Sequence, residues 1–411
     1  QADCRMSLSR YLHRYRLLPL FQYPAQKPSD CRKLHNLSNS VLILDEVQTL
    51  PMEFLMPIVD TFDTLKRIFN VSVLFTTASQ PILKGTIEGT NYQTRFEALP
   101  NVTEIIPNEA NLYDKLRRVK LDFDNSVQTY DEITEKIAQH NRVLCIVNTR
   151  KDAKEIFSRL PKDGICLHLS RMMCPAHIKS IIEKLKLALK DDAQKIIRVV
   201  ATQLIEAGVD IDFPVVFRQE AGLDSILQAA GRCNREGLSE ISTTYVFALD
   251  KKLPTGFITQ TNNARKNMVG NFDWFSPEAM KEYFRQLYPR IESFDKPNTK
   301  SLLYGGEMYF ETIAKEFKLI DDTTTPVIIN YCHEVEVLIN QLKNDGYSYH
   351  LMRQLAQYSV NVRDKDLQKL MEAGAVEEIY DKVLFVRDTK FYDKNIGLKI
   401  ENHWLDESLI I

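Results

Sequence analysis

Two clusters of side chains in this 411-residue chain have the types and spacing of anion chemistry. The first is Asp45-Glu46-Val47-Gln48, two adjacent carboxylates and an amide that follow the apolar run Val41 to Leu44. A buried parallel strand that delivers acids at its carboxyl end is where α/β sheets place ligand chemistry. The second is Gln228-x-x-Gly231-Arg232-x-x-Arg235. On a short helix, spacings of three and four bring Gln228, Arg232 and Arg235 to one face, and two guanidiniums beside an amide make a poor core and a good anion clamp. Plainer readings exist for both, a strand end with solvated acids and an arginine helix with surface ion pairs. Their occurrence in one chain, with a hydroxyl-rich turn at Thr76-Thr77-Ala78-Ser79-Gln80-Pro81, is what points to chemistry.

The elements that must position these groups follow from apolar periodicity. Val41 to Leu44 and Val71 to Phe75 predict buried strands, and between them Met52 to Phe69 carries an apolar helical face of Phe54, Leu55, Ile58, Val59, Phe62, Leu65 and Ile68. Val119 to Phe123 alternates as a crossover strand. A helix over Tyr130 to His140 leads to the strand Val143 to Val147, then a helix over Lys151 to Leu160. Ile165 to Leu169, Arg198 to Ala201 and Tyr245 to Leu249 complete the predicted strands. Lys251 to Ser301 mixes Pro, Asn and Lys and reads as a linker, with turns marked at Tyr304-Gly305-Gly306 and Asp345-Gly346 beyond it.

Composition narrows the class. Hydrophobic residues at 44% and charged residues at 26% are those of a globular protein, and no apolar run has the length to cross a bilayer, so a cytoplasmic location without membrane contact is expected. Seven cysteines, an odd number with no C-x-x-C pair, suggest neither a disulfide framework nor a zinc site. A net charge of -2 gives no global argument for nucleic acid, although residues 1–35 are rich in Arg and Lys with Asp3 and Asp30 as their acids.

The clusters also carry a resemblance. Gln228 to Arg235 is similar to motif VI of superfamily 2 helicases, Ala201 to Asp210 to motif V, Asp45-Glu46-Val47-Gln48 to motif II, and Thr77-Ala78-Ser79 to motif III. The segment His-Leu-Ser-x-x-Met-Cys-Pro-Ala-His at 168–177 and Phe391-Tyr392-Asp393-Lys394-Asn395-Ile396-Gly397-Leu398 resemble the CRISPR-associated helicase-nuclease of type I systems, with I-C the subtype suggested. The resemblance implies roles residue by residue. Asp45 would hold magnesium, Glu46 would orient the attacking water, and Gln48 would couple the site to the opposite domain. Gln228, Arg232 and Arg235 would clamp the triphosphate of ATP as arginine fingers do. Gly208 and Asp210 would touch the nucleotide, Thr77 and Ser79 would connect the ATP and nucleic-acid sites, and Thr149, Arg150, Ser170 and Thr202 would meet the DNA backbone.

The expected architecture is α/β, with tandem RecA-like helicase domains built on parallel sheets, the first incomplete, and a small C-terminal accessory domain. The boundaries expected are an uncertain segment at 1–35, the distal part of the first RecA-like domain at 36–125, the second at 126–250, a linker at 251–301 and the accessory domain at 302–411. A phosphate loop, Gly-x-x-x-x-Gly-Lys-Ser/Thr, should precede motif II, yet no glycine stands before Gly85, and the upstream nuclease domain of the family is not among these residues. We therefore expect part of a longer polypeptide, an ATP- and Mg2+-dependent translocase on single-stranded DNA. Its nuclease activity would come from the N-terminal part, and the CRISPR RNA-guided surveillance complex would recruit it to invader DNA. The alternatives are a phosphate loop supplied by a separate chain, an ATPase-incompetent docking module and a general superfamily 2 RNA helicase.

Overall fold

Val41–Asp45 (β1) and Ser72–Thr76 (β2) pair in parallel in the computed structural model, with Asp45 opposite Thr76 at their carboxyl ends. The structure describes residues 36–77, 81–90, 94–106, 112–191, 195–206, 209–305, 309–317 and 324–400. The connecting helix, Leu55–Phe69, buries Leu55, Ile58, Val59, Phe62 and Leu65 on one face and stops at Asn70, whose left-handed backbone is a common helix terminator. Ile68, expected on that face, is exposed. β1 also departs from the expected fully buried run: Leu42 and Leu44 face the core, while Val41 and Ile43 are exposed, because among the described residues only one face of this strand pair is covered.

That core corrects the linker reading of 251–301. The described residues within 36–116, 221–227 and 255–317 form one compact unit, in which helices Phe257–Lys266 and Pro277–Leu287 are structural members. Met280, Tyr283, Phe284, Leu287 and Phe294 are buried in the same cluster as Leu42, Ile58 and Phe62. The Tyr288 hydroxyl donates to Ile82 O (2.9 Å), and Phe294 meets Phe96 edge-on at 5.4 Å between ring centres. The apolar spacing of residues 280, 283, 284 and 287 is helical, but flanking Pro, Asn and Lys residues mask it in a composition reading.

The second unit comprises the described residues within 117–220, 228–254 and 324–400. Its centre is a six-stranded parallel sheet made of Val119–Gln128 (β3), Arg142–Val147 (β4), Ile165–Leu169 (β5), Ile197–Thr202 (β6), Val215–Gln219 (β7) and Ser242–Leu249 (β8). The order across it is β3-β8-β7-β4-β6-β5. With β1 and β2 this is the expected α/β class with parallel sheets. Strand β7 was not among the predicted strands although it lies mid-sheet, because Arg218 and Gln219 interrupt its apolar run. Two of its helices start with side-chain caps: Thr129 accepts from Glu132 N in a capping box, and Thr149 from Asp152 N.

Residues 324–400 belong to this unit rather than standing apart. Thr324–Ile329 (β9) lies between Ser359–Arg363 (β10) and Val383–Val386 (β12), and Glu377–Tyr380 (β11) completes the sheet as the neighbour of β12. Val327, Val360, Val362 and Val386 share a core with Met172 and Cys174. The two segments that carried the CRISPR resemblance therefore meet. Leu398 N donates to Met172 O (2.8 Å), Cys174 N donates to the Tyr392 hydroxyl (3.1 Å), and His177 Nδ1 lies 2.8 Å from that hydroxyl. Burial holds the His177 imidazole below its ordinary pKa. No helix among the described residues is long and apolar enough to cross a membrane.

Gly397 makes this junction possible, with φ at 83° and the Met172 carbonyl where a Cβ would be. Gly397→Ala is expected to cost roughly 1–3 kcal/mol, read by urea unfolding, and to speed hydrogen exchange at the Leu398 amide. Unchanged exchange at that amide would contradict the junction.

Candidate nucleotide and nucleic-acid sites

The acidic cluster lies where β1 ends. Asp45 is exposed, and its Oδ1 accepts from Thr76 Oγ1 (2.7 Å) and from Glu46 N (3.1 Å). Glu46 takes a left-handed conformation (φ 56°), unusual for a residue with a Cβ, and this turns the chain from the strand into the single helical turn Val47–Thr49. Gln48 folds back into the interior. Its Nε2 donates to Glu46 Oε2, and its Oε1 accepts from Thr77 Oγ1. Asp45, Glu46, Gln48, Thr76 and Thr77 thus form one hydrogen-bonded network across two strand ends. Thr76 belongs to the hydroxyl-rich turn noted in the sequence without a role of its own; the parallel register places it opposite Asp45. Ser79 lies outside the described residues.

No group of three or more metal-ligating side chains occurs among the described residues. A lone exposed carboxylate fits a hard, largely hydrated cation such as Mg2+, which is commonly held by one or two carboxylates together with phosphate oxygens. Asp45 would hold that ion.

The arginine cluster differs from its expected form. The helix runs Leu223–Ala230 and stops, so Gln228 lies in its last turn while Arg232 and Arg235 occupy the turn beyond, where Asn234 is left-handed. The three side chains do not share a helical face. Gly231 and Asn234 favour the break, since both disfavour helix continuation. Arg232 is buried, with Nε donating to Ile205 O (3.2 Å) and Nη2 to Glu206 O (2.6 Å). Arg235 is half-exposed and pairs through Nε with Asp210 Oδ1 (2.9 Å), whose side chain is largely exposed. Such an exposed pair contributes at most about 1 kcal/mol, so an incoming phosphate can displace Asp210. Asp212, just beyond the stretch similar to motif V, holds the turn by accepting from the backbone of Arg235 (2.7 Å) and Glu236 (3.2 Å). Gly208 lies outside the described residues.

The residues expected at DNA divide. Thr149 and Thr202 stand at the carboxyl ends of β4 and β6, neighbouring strands on which Val147 faces Thr202. Thr149 caps its helix and Thr202 is buried. Ser170 is 1% exposed, with Met172 N donating to its Oγ, so it is part of the interior. Arg150 is held by Asp366 (3.1 Å) and Met172 Sδ, both in the same unit. Arg171, in the turn next to Ser170, is exposed. Sequence reasoning also missed a polar group behind this edge, in which buried Glu206, Arg218 and Gln219 join half-buried Asn148. An arginine inside the strand Val-Val-Phe-Arg-Gln was its one signal.

Comparison with known proteins follows these lines. Residues 139–238 match the family model described as CRISPR-associated nuclease/helicase Cas3, C-terminal. The CRISPR-associated nuclease/helicase Cas3 of Methanothermobacter thermautotrophicus is 24% identical over 200 residues, which are 47% of this chain and 24% of that protein. The crystal structure of T. fusca Cas3-ADP is similar with a TM-score of 0.55 at 13% identity, covering 90% of this chain and 55% of that one. A chain in a structure of a CRISPR RNA-guided surveillance complex, pre-nicking, aligns with a TM-score of 0.50 at 13% identity, covering 90% and 58%. The chain thus spans about a quarter of the curated relative and just over half of each solved chain. The resemblance seen in the sequence is borne out as a Cas3-type helicase C-terminal part, and the fold as that of these helicases; the I-C subtype is not distinguished.

If Asp212 sets the arginine turn, Asp212→Ala should raise hydrogen exchange at the Arg235 and Glu236 amides by on the order of tenfold or more, as loss of a charge-assisted hydrogen bond would. Mass-resolved exchange of peptides covering 231–238 gives the check, and unchanged protection would contradict the assignment.

Proposed function

We propose that this Cas3-type part contributes ATP-driven translocation on single-stranded DNA to a helicase-nuclease that unwinds and degrades invader DNA, with the CRISPR RNA-guided surveillance complex as the partner that marks it. The observation that carries the reading is the network at β1 and β2. It aims Asp45 at solvent, ties Glu46 to Gln48, and ties Gln48 to Thr77. Acids at the carboxyl ends of parallel strands, one exposed and one braced, suit phosphoryl transfer to water.

In this reading Asp45 would hold the magnesium that accompanies ATP, which would supply charge neutralisation at the phosphate oxygens. Glu46, held by Gln48, orients the attacking water and takes its proton. Gln48 and Thr77 link this acid to the motif III turn. Arg235 exchanges Asp210 for phosphate oxygens and supplies the charge that an arginine finger supplies. Arg232, committed to backbone carbonyls, is a positioning residue for that turn rather than a phosphate ligand. Gln228 and Asp210 border the nucleotide. Thr149 and Thr202 at adjacent strand ends, with exposed Arg171 nearby in sequence to Ser170, make the edge that meets the DNA backbone.

Two variants of the complete protein test this. Glu46→Gln should lower DNA-stimulated ATP hydrolysis by about 10²-fold or more while ATP affinity persists. Arg235→Ala should lower kcat on the order of 10³-fold. Near wild-type turnover in either would remove the mechanism. Stimulation by RNA but not by single-stranded DNA would replace the substrate with RNA.

A further inference from the structure

Among the described residues the largest fully buried side chain is Arg218, in the middle of the parallel sheet on β7. Its Nε lies 3.0 Å from Glu206 Oε1, and Glu206 is 7% exposed. Withdrawing two charges from water generally costs as much as their pairing returns, and an apolar pair of the same volume often folds as well or better. Stability does not account for this pair.

Its connections suggest what does. On one side Arg218 Nη1 donates to Asn148 Oδ1 (2.8 Å), and Asn148 is bound in turn by the Gln219 side chain, which accepts from its backbone N–H (2.8 Å). Asn148 precedes Thr149, one of the residues at the edge assigned above to DNA. On the other side Glu206 carries, on its own carbonyl, the Nη2 donor of Arg232. The turn after Arg232 is then fastened to the same strand-end segment: Phe213 N donates to Arg232 O (3.0 Å), Asn234 N to Phe213 O (2.9 Å), and Arg235 N to Asp212. Hydrogen bonds, the Arg218–Glu206 ion pair and the covalent links within Glu206 and between Asp212 and Phe213 therefore join residue 148 to residue 235, all within one unit.

We propose that the buried Arg218–Glu206 pair is a positioning relay that ties the loop Asn148–Arg150 to the Arg232–Arg235 turn, so that engagement of single-stranded DNA at the loop sets the arginines for ATP hydrolysis. The inference rests on the function proposed above and adds two residues that touch neither ATP nor DNA. A guanidinium suits the task because its rigid fork fixes the relative positions of the groups it joins, whereas apolar packing tolerates sliding.

The test uses the complete protein with Arg218→Met and Glu206→Gln combined, which leaves no uncompensated buried charge, and Asn148→Ala, which leaves the ion pair in place. The readouts are the ratio of ATPase rate at saturating oligothymidine single-stranded DNA to the rate without DNA, KM for ATP, and Tm. For the combined variant the relay predicts a Tm within a few degrees of wild type, a KM for ATP within about threefold, and a stimulation ratio lowered at least about tenfold. Asn148→Ala should lower the ratio at least about threefold with Tm unchanged. A ratio within twofold of wild type in either folded variant overturns the relay; if the combined variant does not fold, Asn148→Ala alone decides. Wild-type protein without DNA-stimulated ATPase would instead overturn the proposed function, so the two failures are distinguishable.

Discussion

A buried guanidinium must place its donors on oxygens of the protein, because water is not there to take them. Arg232 meets that requirement on the carbonyls of Ile205 and Glu206, at the end of β6, and in doing so locks the turn after the helix Leu223–Ala230 to the segment that follows the strand. Much else follows from this contact. Asp212 can reach two backbone amides of the turn only because the turn is held there, and Arg235 stays half-exposed because its neighbour has taken the interior position. Two arginines three residues apart thereby have different work: one fixes geometry and the other remains exchangeable.

The acidic cluster obeys the complementary rule. A carboxylate left at the surface keeps its hydration and is available to a cation, whereas one held by a buried amide is oriented at the cost of freedom. Asp45 is of the first kind and Glu46 of the second. The left-handed backbone at Glu46 is the local strain that separates them, turning the chain so that adjacent residues point their acids to different tasks. Parallel pairing of β1 with β2 brings Thr76 and Thr77 to the same place, so an acid motif and a hydroxyl motif nearly thirty residues apart become one network.

The C-terminal sheet shows how packing redistributes a chain. Its valines share a core with Met172 and Cys174, and Tyr392 bonds to the backbone after β5. Ser170 and Arg150 are drawn into that interior or its rim, which is why hydroxyl and guanidinium groups at plausible DNA positions are occupied by protein instead.

Apolar periodicity together with acids at strand ends determined much from the sequence alone: the α/β class, strand β5 to the residue, and the helix that follows β1. Those features are local, since a run of branched residues or a face repeating every three to four positions signals its own secondary structure. The acids at Asp45 and Glu46 were legible for the same reason. Tertiary structure alone decided what depended on partners distant in the chain. It turned 255–301 from linker into core, ended the helix before Arg232, made Arg218 an interior group, and divided the arginines into fixed and exchangeable. Burial belongs to the packed chain rather than to a residue's neighbours in sequence, so a charge in the middle of a strand shows that something unusual is required there without showing which oxygen, some seventy residues away, will satisfy it.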